Sequence, residues 1–408
     1  MYYGGTVMLT QKRVVGIALI TAVAVLGDAM LFIVLPLYWR EFGLTAIWQI
    51  GVLLSINRFV RLPINPLVGL FYKYFQLRTG VFIAVTLAII TTFSYGAIQS
   101  FWLLVFIRAL WGVAWSLLRL GGFLTVIDVT DDHNRGKYVG LYNGLWGLGG
   151  LLGMLAGGFL VDQTSIFFVT TLFSVLGVLS IPAIILLVPV TKRTNEKESS
   201  TPIKVRWLTP YVSMVFVTGA TMGFIVFGLF ASTLSPLIEV TYIEQWTVAQ
   251  FTLGAASLAG ILQAIRWGWD PLIAPWIGKQ LHTKQRMIKV LLIPLFFGGV
   301  MFIVLGNIQS IFVLIVCLLI FQLLSTILVT TTDTIATNAA AHLDKVKVMT
   351  VHTVVVDVGA ALGPFVTFSL LGIIGLSSVY VVAGFLLIIL GLMWVYSLFY
   401  FTNQNTAY

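Results

Sequence analysis

Twelve apolar runs, each long enough to cross a bilayer as a helix, follow one another along the chain. A spanning helix needs about 20 mainly apolar residues. Hydrophobic residues make up 59% of the 408 residues and charged residues only 9%, whereas roughly a quarter of a soluble domain is charged. We therefore predict an all-α integral membrane protein with 12 transmembrane helices, at 14–38, 46–71, 80–98, 101–127, 138–161, 166–189, 207–232, 246–270, 287–308, 310–334, 348–372 and 377–400.

The basic residues predict the orientation of these spans. With the N-terminus inside, 17 of the 23 Lys and Arg residues fall in inner segments, while the outer loops hold only Arg40. This bias follows the positive-inside rule, so both termini are expected to be cytoplasmic. The predicted organisation is a cytoplasmic N-terminus (1–13), a six-helix bundle (14–190), a charged cytoplasmic linker (191–206), a second six-helix bundle (207–400) and a cytoplasmic C-terminus (401–408).

Several other classes of protein are disfavoured by the sequence. The net charge of +9 is explained by topology, so nucleic acid is not an expected partner. The first apolar run lacks a small-residue cleavage site and is interpreted as span 1 rather than as a signal peptide. Cys317 is the single cysteine, the four histidines lack metal-ligand spacing, and no Walker lysine pattern occurs. We therefore expect no enzyme activity, cofactor or metal.

The chain contains an internal repeat. Arg61-Leu-Pro-Ile-Asn-Pro66 near the end of span 2 matches Arg266-Trp-Gly-Trp-Asp-Pro271 in span 8, and Gly149-x-x-x-Gly153 in span 5 matches Gly359-x-x-x-Gly363 in span 11. The two offsets, 205 and 210 residues, are nearly equal. Two matches on corresponding helices favour duplication of a six-helix half, an arrangement that places transporter substrates between the halves near the midplane.

Two further motifs lie in spans 4 and 5. Span 4 reads Arg108-x-x-x-Gly112. Span 5 reads Gly149-x-x-x-Gly153-Met154-x-x-Gly157-Gly158, and Gly363-Pro364 supplies a Gly-Pro pair in span 11. These motifs resemble those of the major facilitator superfamily, and specifically its 12-span drug and metabolite:proton antiporter group. In that family the first motif is associated with proton transfer, and the second resembles the antiporter signature with Met in place of Pro. The same glycines also favour close helix packing.

The resemblance extends less fully to the loop after span 2. The family pattern Gly-x-Leu-x-Asp-Arg-x-Gly-Arg-Arg is matched at Gly69 and Arg78, but Lys73 stands where the family has Asp. The resemblance implies an inner-gate network that also includes Asp128 and Arg135. The charge reversal at Lys73 means that the usual ion pairing through this loop cannot be carried over.

Charged residues inside the spans are the strongest functional candidates, because a charge at mid-bilayer is costly and normally faces water or a partner. Asp28 and Arg108 lie at similar depths, roughly 20 Å from the inner face, so we predict that they form a proton-coupling pair. Arg58 and Asp357 both lie about 14 Å deep and are predicted, with Arg61, to form a gate between the bundles. Arg266 and Asp270 are spaced for a local ion pair. His352 is predicted to be interfacial, with a proton relay as the less favoured alternative, and Asp333 is predicted to be a solvated helix end.

Four arginines face one aspartate within the N-terminal spans, so the substrate cavity is expected to be positive. The predicted cavity residues are Asp28, Arg58, Arg108, Trp111 and Trp115. A positive, aromatic cavity favours anionic or zwitterionic amphiphiles.

Three functions remain open from the sequence. The leading interpretation, which rests on the resemblance, is a proton-coupled exporter of amphiphilic drugs or metabolites in a bacterial plasma membrane, working by alternating access with protons and a small-molecule substrate as partners. The second is a dedicated transporter of an organic anion, such as a metal chelator, a phosphorylated solute or a lipid headgroup. The third is a membrane scaffold or receptor that keeps the fold without transport. The sequence does not indicate the oligomeric state.

Overall fold

The computed structural model describes residues 2–129, 132–188, 190, 208–242, 246–248, 251–281, 283–341 and 345–405. The predicted linker (191–206) lies outside the described residues. Six helices form the first part of the chain: α1 (Tyr2–Leu37), α2 (Trp48–Tyr74), α3 (Leu77–Ala97), α4 (Phe101–Val129), α5 (Asp132–Gln163) and α6 (Ile166–Leu187).

The second part of the chain is also almost entirely helical, which confirms the predicted all-α class. It contains α7 (Pro210–Met222), a π-helical segment (Gly223–Phe230), α8 (Ala231–Thr241), strands β1 (Trp246–Val248) and β2 (Phe251–Leu253), α9 (Ala255–Gln280), α10 (Lys284–Leu305), α11 (Ile311–Ala341) and α12 (Lys345–Asn405). The π-helical segment joins α7 to α8 without a break, so that the three form one span.

Nine helical stretches of the described chain are long and apolar enough to cross a membrane. One of them, within α12, covers the two predicted spans 11 and 12, which meet at Gly375 in the left-handed region (φ 75°). The helices α2 and α9 fall short of the same criterion because their apolar surface is interrupted by polar residues such as Asn57, Arg61 and Arg266. These two helices and the nine stretches together account for the 12 predicted spans.

The predicted start of span 8 is wrong. Two segments assigned to that span from sequence, 246–248 and 251–253, are instead paired antiparallel strands, in which Trp246 pairs with Leu253 and Val248 with Phe251. Aromatic and β-branched residues dominate these two short strands, and such residues favour extended backbone over helix. The helix α9 begins only at Ala255 and continues ten residues beyond the predicted end, to Gln280.

Matching glycines pack span 5 against span 1 and span 11 against span 7. Gly149 and Gly153 of α5 lie against the backbone of Ala22 and Leu26 in α1. Gly359 and Gly363 of α12 lie against the backbone of Ala220 and Phe224 in α7 and the π-helical segment. The corresponding glycines of the two halves are 210 residues apart in both cases. Their contact partners in the first helix of each half are 198 residues apart in both cases. The internal repeat of the sequence is thus also a repeat of backbone contacts.

The chain forms two compact units. The first comprises Met1–Ser199 with Gln245–Trp267, and the second comprises Ser200–Glu244 with Gly268–Tyr408, each as far as it is described. The N-terminal part of α9, as far as Trp267, therefore packs with the first six helices. Within that unit, Gly158 of α5 lies against the backbone of Ala256, and Gly260 lies against the backbone of Met154.

Candidate functional site

The centre of the first unit holds a buried ion pair between α4 and α1. Arg108 is 1% exposed, and its Nη1 donates to Oδ1 of Asp28. The Nε of Arg108 donates to the carbonyl oxygen of Leu53 in α2 at 2.9 Å. Asp28 and Arg108, which lie at similar depths according to the sequence, therefore contact each other in the structure. A guanidinium held by a helix carbonyl and a carboxylate at once has its position fixed on two sides.

Two residues that the sequence analysis did not single out complete this cluster. Tyr95 of α3 accepts from Nη1 of Arg108 at 3.3 Å, and its ring lies 5.7 Å from the guanidinium carbon. The side-chain amide of Asn57 donates to Oδ1 of Asp28 at 3.5 Å. A tyrosine and an asparagine within otherwise apolar spans are the signals that could have identified them, because buried polar groups require partners.

Parts of the cluster are left without a protein partner. Among the described residues no hydrogen bond reaches Nη2 of Arg108 or Oδ1 of Asn57, and both atoms are buried. The side chain of Asp28 is 17% exposed, and the described contacts of its carboxylate involve only Oδ1. Buried polar atoms without partners cost free energy. The cluster can therefore accept a further polar group or a proton.

The motif Arg108-x-x-x-Gly112 has a structural explanation in the contact between α4 and α2. A Cβ on Gly112 would lie 2.5 Å from the carbonyl oxygen of Asn57. Leu53 and Asn57 are one helical turn apart, as are Arg108 and Gly112. The glycine lets the two backbones approach, and this approach brings the Arg108 side chain to the Leu53 carbonyl.

Three tryptophans extend along α4 and α5 from this cluster. The rings of Trp111 and Trp115 are 6.4 Å apart, and Trp146 of α5 meets Trp115 edge-to-face at 5.1 Å. Trp111 is 1% exposed, so it belongs to the core, whereas Trp115 is only half-buried. The indole N–H of Trp115 has no hydrogen-bond partner within the described part of the chain. Trp146 is not among the cavity residues predicted from the sequence.

The predicted gate residues lie in different units. Arg58 is half-buried in α2, with its guanidinium 5.9 Å from the ring centre of Phe32, and Arg61 is buried one turn further on. Asp357 is half-buried in α12. Because the first two belong to the first unit and Asp357 to the second, their pairing stays a prediction. The ion pair between Arg266 and Asp270 also stays a prediction, while Asp270 accepts a hydrogen bond from Thr326 at 2.5 Å.

The residues predicted for the inner-gate loop are only partly brought together. Arg78 donates through Nε to the carbonyl oxygen of Val188 at the end of α6, at 2.9 Å. Gly69 has open space where a side chain would be. Asp128 lies exposed near the end of α4, and the side chain of Arg135 lies outside the described residues. The network implied by the resemblance therefore stays a prediction.

The motif glycines of α5 face two different helices. Gly149, Gly153 and Gly157 lie against α1, where Gly157 contacts Met30, while Gly158 faces the start of α9. In α12, Gly359 and Gly363 face α7 and the π-helical segment, and Pro364 follows directly. Each of these contacts is with backbone or with atoms near it, so these positions have little room for a side chain.

A polar cluster that sequence reasoning missed joins α1, α5 and α9 within the first unit. The carboxylate of Asp162, at the end of α5, accepts from Tyr38 Oη at 2.7 Å. It also accepts from the backbone N–H and the hydroxyl of Ser257, at 2.8 and 2.6 Å. Ser257 is the third residue of α9. The residue directly before that helix, Gly254, has no side chain that could cap it. Asp162 thus caps α9 from another helix.

His352 and Asp333 form a second, smaller polar contact in the second unit. His352 of α12 is 3% exposed, and its Nε2 lies 3.2 Å from Oδ1 of Asp333 in α11. The predicted interfacial histidine is thus buried among helices. Asp333 is exposed, but it does not end its helix as predicted, since α11 continues for eight more residues to Ala341.

Among the described residues no group of three or more His, Cys, Asp or Glu side chains is placed to hold a metal ion. The charged and polar groups at the centre of the first unit instead form one connected cluster of a carboxylate, a guanidinium, a phenol and an amide.

Sequence comparison relates the chain to transporters. Residues 17–346 match the sequence model of the Major Facilitator Superfamily. The human synaptic vesicular amine transporter is 26% identical over 248 residues, which cover 59% of this chain and 46% of the relative. The quinolone resistance protein NorA of Staphylococcus aureus (strain MRSA252) is 25% identical over 211 residues, which cover 50% of this chain and 53% of the relative. The chain thus spans about half the length of the curated relatives it matches.

Solved structures share the fold at low sequence identity. An inward-facing, unoccupied bacterial homologue of the human lysosomal transporter Spinster superposes with a TM-score of 0.72 at 13% identity, covering 95% of both chains. The nucleoside transporter NupG superposes with a TM-score of 0.70 at 12% identity, covering 96% of this chain and 98% of that one. The motifs, the all-helical membrane fold and the match over residues 17–346 lead to one conclusion: the chain belongs to the Major Facilitator Superfamily.

Proposed function

We propose that this secondary transporter is a proton-coupled exporter of amphiphilic organic compounds, with Asp28 as the carboxylate that binds and releases the proton. The observation that carries the proposal is the contact between Asp28 and Arg108 at the centre of the first unit. An ionisable pair inside a membrane span is costly to keep, and such pairs are typical of proton and substrate pathways.

The geometry supports a simple coupling scheme. Ionised Asp28 and Arg108 together carry no net charge, and protonation of Asp28 leaves the charge of Arg108 uncompensated. Arg108 is still held by the Leu53 carbonyl and by Tyr95 when the attraction to Asp28 weakens. A proton on Asp28 therefore loosens the contact of α1 with α4 while the rest of the cluster keeps its place. Substrate binding and proton binding at one carboxylate would then exclude each other.

The class of substrate is inferred from the aromatic residues and the relatives. Trp115, two helical turns from Arg108 along α4, forms an edge-to-face pair with Trp146, and aromatic faces suit flat amphiphilic molecules. One relative is named for quinolone resistance and another for vesicular amine transport. Both names support transport of small organic compounds.

One observation favours the second candidate, a transporter dedicated to an organic anion. The Nη2 of Arg108 is buried and lacks a hydrogen-bond partner within the described residues. A carboxylate, sulfonate or phosphate on the substrate would satisfy it with a charge-assisted hydrogen bond. Under this alternative, binding of matched analogues would rank anion above neutral above cation.

The membrane location and the orientation of the chain are inferred from its basic residues. The basic residues of the predicted inner loops support a plasma membrane orientation with both termini in the cytoplasm.

Transport by purified protein tests the proposal. Proteoliposomes containing the protein, preloaded with a fluorescent quinolone and given an opposing proton gradient, should lose the compound faster than liposomes without protein. Dissipating the gradient with a protonophore should remove the difference. Transport that continues unchanged without a proton gradient would reject proton coupling. Absence of transport for cationic, neutral and anionic amphiphiles alike would reject the export function.

A further inference from the structure

The contact between His352 and Asp333 joins a buried base to an exposed acid. The side chain of His352 is 4% exposed and that of Asp333 is 58% exposed. Histidine is the side chain whose charge changes most readily near neutral pH. A carboxylate facing lipid would be strongly disfavoured, so the exposed part of Asp333 is expected to face water. The pair thus offers a route from water to a buried imidazole.

The hydrogen bonding of the ring leaves one nitrogen open. The Nε2 of His352 faces Oδ1 of Asp333, while Nδ1 is buried without a partner in the described residues. When Asp333 is ionised and His352 is neutral, Nε2 must carry the hydrogen, and Nδ1 keeps an unshared lone pair. One added proton converts the pair to an imidazolium and a carboxylate, so that its net charge changes from −1 to 0.

We propose that His352 and Asp333 form a second proton-binding site, located in the second unit and separate from Asp28. The proton enters at the exposed Asp333 carboxylate, crosses the Oδ1–Nε2 hydrogen bond and is held as an imidazolium beside the re-ionised carboxylate. No bond other than the transferred O–H and N–H bonds is made or broken.

The residues around the ring leave Asp333 as its main electrostatic partner. Helix α7, which packs against the ring, carries only Tyr211 as a titratable group, eight residues or roughly 12 Å before the contact at Gly219. On α12, Lys347 and Asp357 each lie five residues from His352, which turns them roughly 140° away around the helix. Helix α10 approaches α11 one turn beyond Asp333, where Asn338 contacts Met287, and its basic residues near that contact are Arg286 and Lys289.

The position of the ring connects the site to helix packing. A Cβ on Gly219 of α7 would lie 2.7 Å from Cε1 and 2.9 Å from Nδ1 of His352. The ring therefore fills the space between α7 and α12, and a charge on it acts directly on the backbone of α7. The π-helical segment, a type of structure often found at functional sites, begins four residues further along the same span.

The inference depends on the proposed function only for the use of the proton, which would be a second coupling or regulatory proton of the transport cycle. The existence of the site can be tested without transport. Nitrogen-15 labelling of the histidine side chains, followed by NMR of the purified protein over about pH 5 to 8, reports the charge and tautomer of each ring.

The expected result is one set of side-chain nitrogen signals that changes from the neutral to the imidazolium pattern within this range. This set should be absent in His352→Gln, and Asp333→Asn should move its titration midpoint. Thr353→Ala, at the exposed position next to His352 in α12, removes only a hydrogen bond to the Met349 carbonyl and should leave the midpoint in place. If His352→Gln fails to fold, replacing His133, His282 and His342 by Gln isolates the same signal.

A His352 ring that keeps its neutral pattern throughout the range would overturn the proposal, and so would a midpoint that is the same in Asp333→Asn and the unmodified protein. These outcomes are separable from a failure of the proposed function. Normal gradient-driven transport by Asp28→Asn would reject the role of Asp28 and leave a titrating His352 untouched, while a non-titrating His352 leaves Asp28 as the sole proposed proton site.

Discussion

The carbonyl oxygen of Asn57 in α2 lies 2.5 Å from the point that a Cβ on Gly112 of α4 would occupy. This contact sets the distance between α2 and α4. At that distance Arg108 of α4 reaches the carbonyl oxygen of Leu53, which lies one turn before Asn57 in α2. A motif associated in the family with proton transfer thus has, in this chain, a packing role that can be tested independently.

The first prediction concerns Gly112→Ala. The added methyl group collides with backbone, which cannot rotate away, so we expect a loss of stability of about 1–3 kcal/mol and a disturbed Arg108 site. Thermal unfolding in detergent measures the loss. Gly144→Ala in α5 is the matched control, since nothing lies within 4 Å of its added carbon. Equal melting temperatures for the two variants would show that the close approach of α2 and α4 is not required.

The second prediction concerns Asp162, whose carboxylate accepts three hydrogen bonds from Tyr38 and Ser257. In Asp162→Asn the amide offers one oxygen and turns an NH₂ group toward a donor, so we expect a loss of roughly 1–3 kcal/mol of stability. The loss should appear as a lower melting temperature. Glu41→Gln, at an exposed loop position, is the control and should change little. A melting temperature unaffected by Asp162→Asn would mean that this cap contributes nothing.

The third prediction concerns the charge of the substrate. If Arg108 and Arg58 create a positive cavity, Arg58→Gln should weaken binding of an anionic amphiphile several-fold more than binding of its neutral analogue. Competition binding with matched cationic, neutral and anionic analogues measures this difference. Arg40→Gln, at an exposed position between α1 and α2, serves as the control for a change in overall charge. A clear preference of the unmodified protein for the cation would contradict the charge argument and favour amine-like substrates.

The sequence was sufficient to predict the fold class because long apolar runs have one stable solution in a bilayer. The sequence also predicts that Asp28 and Arg108 lie at a similar depth in the membrane, because each residue of a spanning helix adds a fixed rise along the helix axis. It could not reveal Tyr95 or Asn57, because depth alone does not specify which faces of α2 and α3 meet α4. The capping of α9 by Asp162 could not be predicted for a related reason: the apolar residues of β1 and β2 favour a membrane helix in the sequence, so the start of α9 at Ala255 is not apparent.

The repeat was visible in the sequence only as two short matches. Its physical basis, glycines that meet the backbone of the first helix in each half, required coordinates. Gly149 and Gly359 occupy equivalent positions, and their partners Ala22 and Ala220 are 198 rather than 210 residues apart. Backbone contacts depend little on side-chain identity, so they can be preserved while the surrounding residues diverge.

The fourth prediction tests the central claim, the role of Asp28 in proton coupling. Asp28→Asn keeps the size of the side chain and an oxygen that can accept from Arg108. It removes the ionisable carboxyl group, so that the side chain can no longer bind and release a proton. We expect the variant to lose transport driven by a proton gradient while retaining exchange of labelled for unlabelled substrate across the same vesicles. The two assays on one preparation separate a loss of coupling from a loss of folding.

The decisive measurement is therefore gradient-driven export by Asp28→Asn in proteoliposomes, compared with the unmodified protein at equal reconstituted amounts. The account predicts driven export at the level of protein-free vesicles together with preserved exchange. Driven export by Asp28→Asn at the rate of the unmodified protein would contradict it and would assign proton coupling to another group.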